Sequence, residues 1–279
     1  MSCKRFITPY PPTPVLENWR VLKMNNVGAY IASPATVAAR IAYAVANGFN
    51  WLQFYGLYGI FGDPVKEAQL ASMISACYAA GIIRVGAIMG AGVAGFNLAF
   101  NYNASVSPSE QFNDMNKENE AWRYPFDPAA ESWTDWFNSI DYVRGYIDAG
   151  SFPWVMSAYI QDYVPSVWPA GVCAQMIVSN IDYLETTNYT TVPNELAVRN
   201  SLLNQLGSAA IVAHKQQKFN NLFSAESAFM GPYFGANGLN ASFATWAAQF
   251  ASDSFVGKNG LIYTGNNVFS YNDISAYIP

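Results

Sequence analysis

The sequence predicts an α/β protein built as one (β/α)8 TIM barrel, in which eight parallel strands alternate with helices. Three observations predict this fold. Short β-type runs recur eight times, helical stretches separate most of them, and 279 residues with 52% hydrophobic side chains suit one large core. No linker, low-complexity tract or internal repeat divides the chain, so we expect a single barrel domain.

The elements follow one another in the order that a barrel requires. Ser33-Pro34 is an N-cap with proline at the first helical position, and Asn47-Gly48 is a C-cap signal, so a helix lies between them. Residues 82–89 form an apolar run that is typical of a strand buried on both faces. The predicted strands are residues 26–31, 51–55, 82–89, 112–120, 153–159, 183–188, 219–224 and 260–264. The predicted helices cover about 34–47, 63–80, 131–150, 170–180, 193–217 and 240–252.

Three segments depart from a regular barrel. Residues 90–109 are rich in Gly and Asn, and we expect them to form a long functional loop. Few residues follow strand eight, so the eighth helix is expected to be short or missing. Residues 1–25 are apolar and rich in proline, and we expect an arm that precedes a barrel domain at 26–279. This arm is expected to lie on the barrel near strand eight, or to reach a neighbouring copy in a larger assembly.

Charge and composition argue against several partners. The net charge is −5 and no basic run occurs, which disfavours nucleic acid. The apolar stretches are too short to span a membrane, and residues 1–14 lack the apolar core of a signal peptide. Only 12% of residues are charged while 16% are aromatic. Such a surface suits sugars or a homo-oligomer and is compatible with an extracellular or surface-exposed protein, and the compartment stays open.

The sequence also argues against metal chemistry. A single histidine, His214, disfavours a histidine-based metal site and a Ser-His-Asp triad, and we expect it on a helix surface. Cys77 and Cys173 lie in helical patterns and are expected to be buried free thiols. We therefore expect no metal and no organic cofactor.

In (β/α)8 barrels the chemistry lies at the C-terminal ends of the strands. Glutamates end three of the predicted strands, although acidic residues are scarce in this chain. The side chains at predicted strand ends are Gln53, Tyr55, Glu118, Glu120, Tyr159, Gln161, Asp162, Glu185, Asn188, Tyr189 and Glu226.

Predicted strand four carries a resemblance to a known family. The pattern Asn113-x-x-Asn116-x-Glu118-x-Glu120 resembles the strand-four signature of chitinase-type (family 18) glycoside hydrolases, and we expect all four side chains on the lumen face. Residues 182–189, which include predicted strand six, resemble the sixth strand of that family. The resemblance implies that Glu120 is the catalytic acid, that Glu118 orients the 2-acetamido group, and that Tyr189 helps to hold it.

Three positions depart from the family pattern. Glu118 stands where the family has Asp, Asn116 replaces the inner Asp, and Thr190 replaces the Asp that follows the strand-six Tyr. Together these changes leave open a barrel that does not hydrolyse its ligand.

A second resemblance uses the same acid. Asn119-Glu120 and Glu226 resemble the two catalytic positions of retaining clan A glycosidases, in which the strand-four Glu is acid/base and the strand-seven Glu is the nucleophile. Family 18 is favoured over clan A, because the strand-four lumen face is richer in polar groups than clan A requires.

The resemblances imply a glycoside hydrolase that acts on oligosaccharides containing N-acetylhexosamine. Glu120, Glu118 and Glu226 are the candidate catalytic residues. The candidate substrate contacts are Tyr189, Asn116, Tyr55, Tyr159, Asn188 and Glu185. The alternative is a non-catalytic barrel that serves as a glycan-binding or structural subunit.

Overall fold

The computed structural model shows a closed barrel of eight parallel strands, in which β8 pairs with β1. The structure describes residues 17–90, 92–118, 120, 131–150, 154–161, 172–193 and 196–279. The strands are β1 (Trp19–Met24), β2 (Trp51–Phe54), β3 (Arg84–Met89), β4 (Asp114–Lys117), β5 (Val155–Ile160), β6 (Tyr183–Asn188), β7 (Gln217–Ser224) and β8 (Leu261–Phe269). The helices are α1 (Pro34–Ala46), α2 (Pro64–Ala79), α3 (Gly92–Ser105), α4 (Trp133–Asp148), α5 (Val172–Asn180), α6 (Leu196–Val212), α7 (Gly231–Ser252) and α8 (Tyr271–Tyr277). The predicted fold class is confirmed.

Capping side chains explain where the first two helices begin. The Ser33 hydroxyl accepts a hydrogen bond from the Thr36 backbone N–H at 3.4 Å, and Pro34 follows at the first helical position. Asp63 caps α2 in the same way, because its Oδ1 accepts from the backbone N–H of Val65 at 3.1 Å. Both caps satisfy donors that a helix start leaves without partners.

Alternation along the strands divides the core into two parts. Leu22 and Met24 of β1 pack in the large core between the barrel and its helices. Trp19 and Val21 join Trp51 of β2 in a separate cluster inside the barrel. This alternation decides which side chains line the lumen.

A cation enclosed by aromatic rings fills the amino end of the barrel. The Arg84 guanidinium carbon lies 4.6 Å from the Trp19 ring centroid, 5.1 Å from that of Trp51 and 4.8 Å from that of Tyr183. The Tyr183 hydroxyl donates to Glu17 at 2.7 Å and adds a polar cap beneath the rings. Such cation–π contacts are strongest where water is excluded, and this layer closes the end opposite the strand carboxyl termini.

The prediction for the first strand is wrong. The barrel begins at Trp19, whereas residues 26–31 contain only a 3-10 turn at Val27–Ala29. The real strand was hidden because Lys23 resembles a surface residue in sequence, although its side chain is only 1% exposed. The predicted boundary at residue 25 is therefore misplaced, and residues 1–16 of the predicted arm lie outside the described residues.

The predicted loop at 90–109 is also wrong, because most of it forms α3. Phe96, Ala99 and Phe100 are buried on one face of this helix, and intervening Gly and Asn residues hid the pattern in the sequence. Asn103 then joins α3 to the start of β4, since its amide donates to the Phe112 carbonyl at 2.9 Å and accepts from the Phe112 N–H at 3.0 Å.

The eighth helix is short, as predicted, and it leaves open space beside it. α8 has 7 residues, and a groove of ≈ 620 Å³ opens between α7, α8 and the end of α1. A second groove of ≈ 250 Å³ adjoins it, and both are lined by Arg20 and Asn240. The Arg20 guanidinium carbon lies 5.0 Å from the Phe243 ring centroid on the wall of the second groove.

Smaller expectations had mixed outcomes. His214 lies after the end of α6 in a left-handed conformation with φ 51°, so its predicted place on a helix is wrong. Cys77 is a buried free thiol as predicted, while the side chain of Cys173 is outside the described part of the chain. No helix in the described ranges is long and apolar enough to cross a membrane.

Candidate active site at the carboxyl end of the barrel

A layer of buried polar side chains fills the middle of the lumen. Asp114 of β4 accepts hydrogen bonds from Trp51 Nε1 at 3.1 Å and from Gln53 Nε2 at 3.2 Å. Ser157 of β5 donates to the other Asp114 oxygen at 2.7 Å. The Gln53 amide also donates to Glu185 at 2.6 Å, so one amide connects two carboxyl groups.

Glu185 of β6 is surrounded by donors. Its Oε2 lies 2.7 Å from Lys23 Nζ, and its Oε1 also accepts from Asn116 Nδ2 at 3.0 Å. Glu185 and Asn116 are both fully buried, with 0% exposure. Their predicted role as substrate contacts therefore does not fit this structure. They form a supporting layer beneath the mouth, which is the open carboxyl end of the barrel where Glu118 and Glu120 lie.

Burial changes the acidity of Asp114. Loss of solvation raises the pKa of Asp114 to about 7, and the negative charge of Glu185 acts in the same direction. The hydrogen bonds from Ser157 and Gln53 oppose this shift but are outweighed. Asp114 stands two residues before Asn116 in the strand, and it is not among the site residues predicted from the sequence.

Glu118 lies just beyond β4, on the carboxyl side of the buried layer. Burial raises its pKa, with further repulsion from Glu120 and Glu185. Lys23 and a hydrogen bond from the Tyr55 hydroxyl oppose the rise. Glu118 is half-buried, so it lies at the boundary between the lumen and the open mouth.

Glu120 stands two residues further along and is held by donors from β5 and the residue that follows it. The Tyr159 hydroxyl donates to Glu120 Oε1 at 2.5 Å, and Gln161 Nε2 donates to the same oxygen at 3.2 Å. Burial and this carboxylate raise the pKa of Tyr159, so the phenol keeps its proton as the donor. Gln161 was noted at a predicted strand end but was not selected as a site residue.

Tyr189 follows β6 at the same end of the barrel as the three glutamates. Burial raises the pKa of Tyr189, and the charges of Glu118, Glu226 and Glu120 raise it further. Glu118 and Glu120 follow β4 and Glu226 follows β7, so all three lie at the carboxyl end of the parallel barrel. Glu226 itself accepts a hydrogen bond from the Ser224 hydroxyl at 2.7 Å. The structure thus gathers the three candidate catalytic glutamates at one mouth.

Other predicted positions have different outcomes. Asn113 does not face the lumen, because its amide donates to the Ile83 carbonyl just before β3 at 3.1 Å and accepts from the Val85 N–H of β3 at 2.9 Å. Asn188 ends β6 as predicted, but its side chain is not among the described ones. Phe269, at the end of β8, was missed and lies 5.8 Å from the Tyr55 ring centroid.

The mouth therefore combines three carboxylates with aromatic rings and phenolic donors. Carboxyl groups can protonate a leaving oxygen or stabilise a developing cation, and rings with hydroxyls suit the faces and edges of sugars. Among the described residues, no group of three or more His, Cys, Asp or Glu side chains is arranged to hold a metal ion.

No protein-family model matches this chain, and no curated protein matches it in sequence. Solved structures do match its fold. A modular endo-β-1,4-mannanase from Cellulomonas fimi, of glycoside hydrolase family 26, has a TM-score of 0.55 at 10% identity over 94% of this chain and 67% of that chain. Concanavalin B has a TM-score of 0.53 at 9% identity over 93% of this chain and 95% of that chain.

A third match is a plant class V chitinase from Cycas revoluta, solved as a mutant with (GlcNAc)3. Its TM-score is 0.52 at 10% identity over 93% of this chain and 97% of that chain. At such low identity these likenesses establish a shared barrel fold. The chain thus has the barrel found in a chitinase and in a mannanase.

Proposed function

We propose that this protein is a glycoside-hydrolase-like barrel that acts on oligosaccharides containing N-acetylhexosamine, with Glu120 as general acid. The observation that carries the proposal is the position of Glu118 and Glu120 just beyond β4 at the carboxyl end of the barrel, where Tyr159 and Gln161 donate hydrogen bonds to Glu120. The TIM-barrel fold shared with a chitinase and a mannanase supports the same class of reaction.

The proposed first step breaks the glycosidic bond. Glu120 donates its proton to the glycosidic oxygen, which leaves as the hydroxyl of the departing sugar. The 2-acetamido oxygen of the bound sugar attacks the anomeric carbon and forms a cyclic intermediate. Glu118 orients the acetamido N–H and balances the positive charge that develops, while Tyr189 donates to the acetamido group.

The second step restores the acid. Glu120, now a carboxylate, removes a proton from water as the water oxygen attacks the anomeric carbon. The ring of the intermediate opens, the acetamido group is regenerated, and Glu120 regains the proton it gave away. Tyr159 and Gln161 hold the Glu120 carboxylate in place through both steps, since both donate to its Oε1.

A second mechanism is favoured by one observation, which is that Glu226 follows β7 and Glu120 follows β4 at the same carboxyl end of the barrel. In that mechanism Glu226 attacks the anomeric carbon and Glu120 is acid and then base. Glu226→Ala separates the two, because it should be severe if Glu226 is the nucleophile and mild if the acetamido group attacks. A substrate with a free amine in place of the acetamido group gives the complementary test.

A non-catalytic glycan-binding barrel is the alternative of another class. It is favoured by the neutral, fully buried Asn116 beneath Glu118, where the resembling family has an acidic residue. Binding needs the rings and donors of the mouth but no proton transfer. The same chain could then serve as a structural subunit that holds a glycan.

Hydrolysis of N-acetylglucosamine oligomers by wild type and Glu120→Gln tests the proposal. We expect the amide to lower kcat by about 10²-fold or more, because it cannot donate the acid's proton, while circular dichroism stays unchanged. Asp141→Asn, on the exposed face of α4, is the matched control and should retain full activity. Equal inertness of wild type and variant, with glycan binding intact, would instead support the binding barrel.

A further inference from the structure

Among the described residues, one charged side chain lines the groove beside α8, and it is Arg20. Arg20 lines both the groove of ≈ 620 Å³ and the adjoining groove of ≈ 250 Å³, so it stands where the two meet. No Asp or Glu side chain is found among the described residues that line either groove. Burial lowers the pKa of Arg20, which shows that the guanidinium has lost hydration. Within the described ranges it has gained no anion in return.

The strand register places a second polar side chain beside Arg20. Arg20 of β1 pairs with Asn266 of β8, and both point away from the lumen, because the next residue of β1, Val21, packs inside the barrel. Asn266 lines the smaller groove and is only 4% exposed. Its Oδ1 is buried with no hydrogen-bond partner in the described part of the chain, and so is Arg20 Nε. Buried polar atoms without partners are rare, and a ligand that supplies the partner removes their cost.

The nitrogen end of the Asn266 amide is already used. Burial raises the pKa of Tyr263, and a hydrogen bond with the Asn266 side chain opposes this rise. A hydrogen bond lowers the pKa of a phenol when it donates to the phenol oxygen, so the Asn266 amide nitrogen faces the Tyr263 hydroxyl. The amide oxygen is therefore the acceptor that Asn266 offers to the groove.

Two aromatic rings and a glycine hold the Arg20 guanidinium in place. Its carbon lies 5.0 Å from the Phe243 ring centroid and 6.0 Å from that of Phe49. A Cβ on Gly48 would lie 2.9 Å from Arg20 Nη1, and Gly48 has a φ of 72°, so the backbone approaches the guanidinium as only glycine can. The N–H donors of a guanidinium lie at its edge, so contact with ring faces leaves them to bind a carboxylate.

These groups together define the chemistry of a ligand. A guanidinium binds a carboxylate through two parallel hydrogen bonds, and an amide oxygen accepts from a hydroxyl. The exposed amides of Asn18 and Asn240 lie on the same grooves and suit further hydroxyls. The larger groove has a volume within the range of small-molecule sites, which is roughly 300–1,000 Å³.

The chain's own amino-terminal residues do not supply the missing carboxylate. Residues 1–16 contain Lys4 and Arg5 but no Asp or Glu, so their charge has the same sign as that of Arg20. Charge complementarity therefore favours an anion from outside the chain.

We propose that the groove beside α8 is a second binding site, separate from the mouth, for a sugar acid of the uronate type. The carboxylate of the ligand pairs with Arg20, a ring hydroxyl donates to Asn266 Oδ1, and Phe243 forms part of the wall. The groove lies on the outside of the barrel near the start of β1 and the end of α1. Its occupancy therefore does not depend on the carboxylates of the mouth.

Titration of the full chain with glucuronate, followed by nitrogen-15 NMR, tests the proposal. Glucose is the neutral match and inorganic phosphate is the anion without hydroxyl-bearing carbons. We expect glucuronate to bind about 10-fold tighter than either, because it alone has both the carboxylate for Arg20 and the ring hydroxyls for Asn266. The Arg20 Nε signal, assigned with Arg20→Gln, should shift on binding.

Two variants locate the site. Asn240 is exposed and lines both grooves, so Asn240→Trp should fill them and weaken glucuronate binding by about 10-fold or more without unfolding the chain. Asn138→Trp on the exposed face of α4 is its matched control. Arg20→Gln should weaken binding to a similar degree, whereas Lys66→Gln removes the same charge from α2 and should not. If Arg20→Gln fails to fold, Asn240→Trp still tests the site because it leaves Arg20 in place.

Absence of glucuronate binding by the full chain would overturn the proposal, as would unchanged affinity in Asn240→Trp. Phosphate that binds as tightly as glucuronate would show a site for bare anions, and glucose that binds as tightly would show that Arg20 plays no part. Either result contradicts the assignment to a sugar acid. Binding by a chain that lacks residues 1–16 but not by the full chain would show that those residues fill the groove, and the proposal would again be wrong. A failure of the hydrolase proposal would leave all of these outcomes unchanged.

Discussion

The Tyr159 hydroxyl and the Glu120 carboxylate are joined by a hydrogen bond of 2.5 Å between Oη and Oε1. The bond crosses from β5 to the residues that follow β4, and these two strands are paired in register at Lys117 and Ala158. Glu120 stands outside the strand, so its direction depends on partners such as Tyr159. Removal of the Tyr159 hydroxyl oxygen therefore tests directly whether this hydrogen bond positions Glu120.

Tyr159→Phe should lower hydrolysis by about 10- to 100-fold, because a hydrogen bond to a charged group contributes about 1.5–3 kcal/mol. The fold should persist, since the ring remains. The measurement is kcat/KM on N-acetylglucosamine oligomers. Tyr142→Phe removes a hydroxyl that bonds Asn97 between α3 and α4 and should leave the rate unchanged. Equal losses in both variants would show a general packing effect and not a role for the phenol at Glu120.

The buried Asp114 predicts how stability changes with pH. Its pKa is about 7 in the folded state, against an ordinary value near 3.8, so the folded chain binds the extra proton between these limits. The protonated Asp114 carboxyl therefore favours the folded state at low pH. This contribution to the free energy of unfolding is lost as pH rises from about 4 to about 7.

Urea unfolding of wild type and Asp114→Asn across this range measures the effect. Asn cannot ionise, so the stability of the variant relative to wild type should improve by a few kcal/mol from pH 4 to pH 7 and level off above it. The amide also disturbs the bonds from Trp51 and Gln53, which lowers stability at every pH without changing this slope. A difference that stays constant with pH would contradict the raised pKa.

Two glycines give a matched test of packing. A Cβ on Gly207 of α6 would lie 1.9 Å from the Gly257 carbonyl oxygen, which is backbone and cannot move aside cheaply. Gly207→Ala should therefore destabilise the fold by about 3 kcal/mol or more. Gly145→Ala on the exposed side of α4 meets nothing within 4 Å and should stabilise the fold by about 0.5–1 kcal/mol. Thermal unfolding of both variants checks the two signs, and equal melting temperatures would show that the helix α6 has room to shift.

The groove beside α8 is where the predicted amino-terminal arm can be tested. The described chain begins at Glu17, and the neighbouring Asn18 lines the smaller groove with Arg20. If the arm covers its own barrel, we expect deletion of residues 1–16 to lower the melting temperature. If the arm reaches another copy, we expect the deletion to lower the mass of the oligomer in solution. Light scattering and thermal unfolding of both chains distinguish these outcomes. A shortened chain with the same mass in solution and the same melting temperature would show that the arm does neither.

Much of the fold followed from the sequence because parallel barrels require a repeated order of strands and helices. β6 was predicted with the observed bounds, and the predicted glutamates at the ends of strands four and seven lie at the same mouth. That juxtaposition is a consequence of topology, since parallel strands all end on one side.

The buried layer could not be predicted in the same way. Lys23, Gln53 and Glu185 are far apart in the chain, and their contacts depend on how each strand is shifted against its neighbours. A lysine in a sequence usually indicates solvent, so its burial is visible only once its partner is placed. For the same reason the first strand was assigned to residues 26–31 in the sequence and not to the segment that contains Lys23.

The closed amino end of the barrel has a kinetic consequence. Arg84 and its three rings are capped by Glu17, which also pairs with Lys218 at 2.9 Å, so within the described chain this layer blocks that end. Within the described chain the lumen then opens to solvent at its carboxyl end, where Glu118 lies, and we expect protons to reach Asp114 from that end. A sugar bound over the mouth would block access of solvent to the lumen. The protonation state of Asp114 would then stay fixed while the ligand is bound. It would change only after the ligand leaves and before the next one binds.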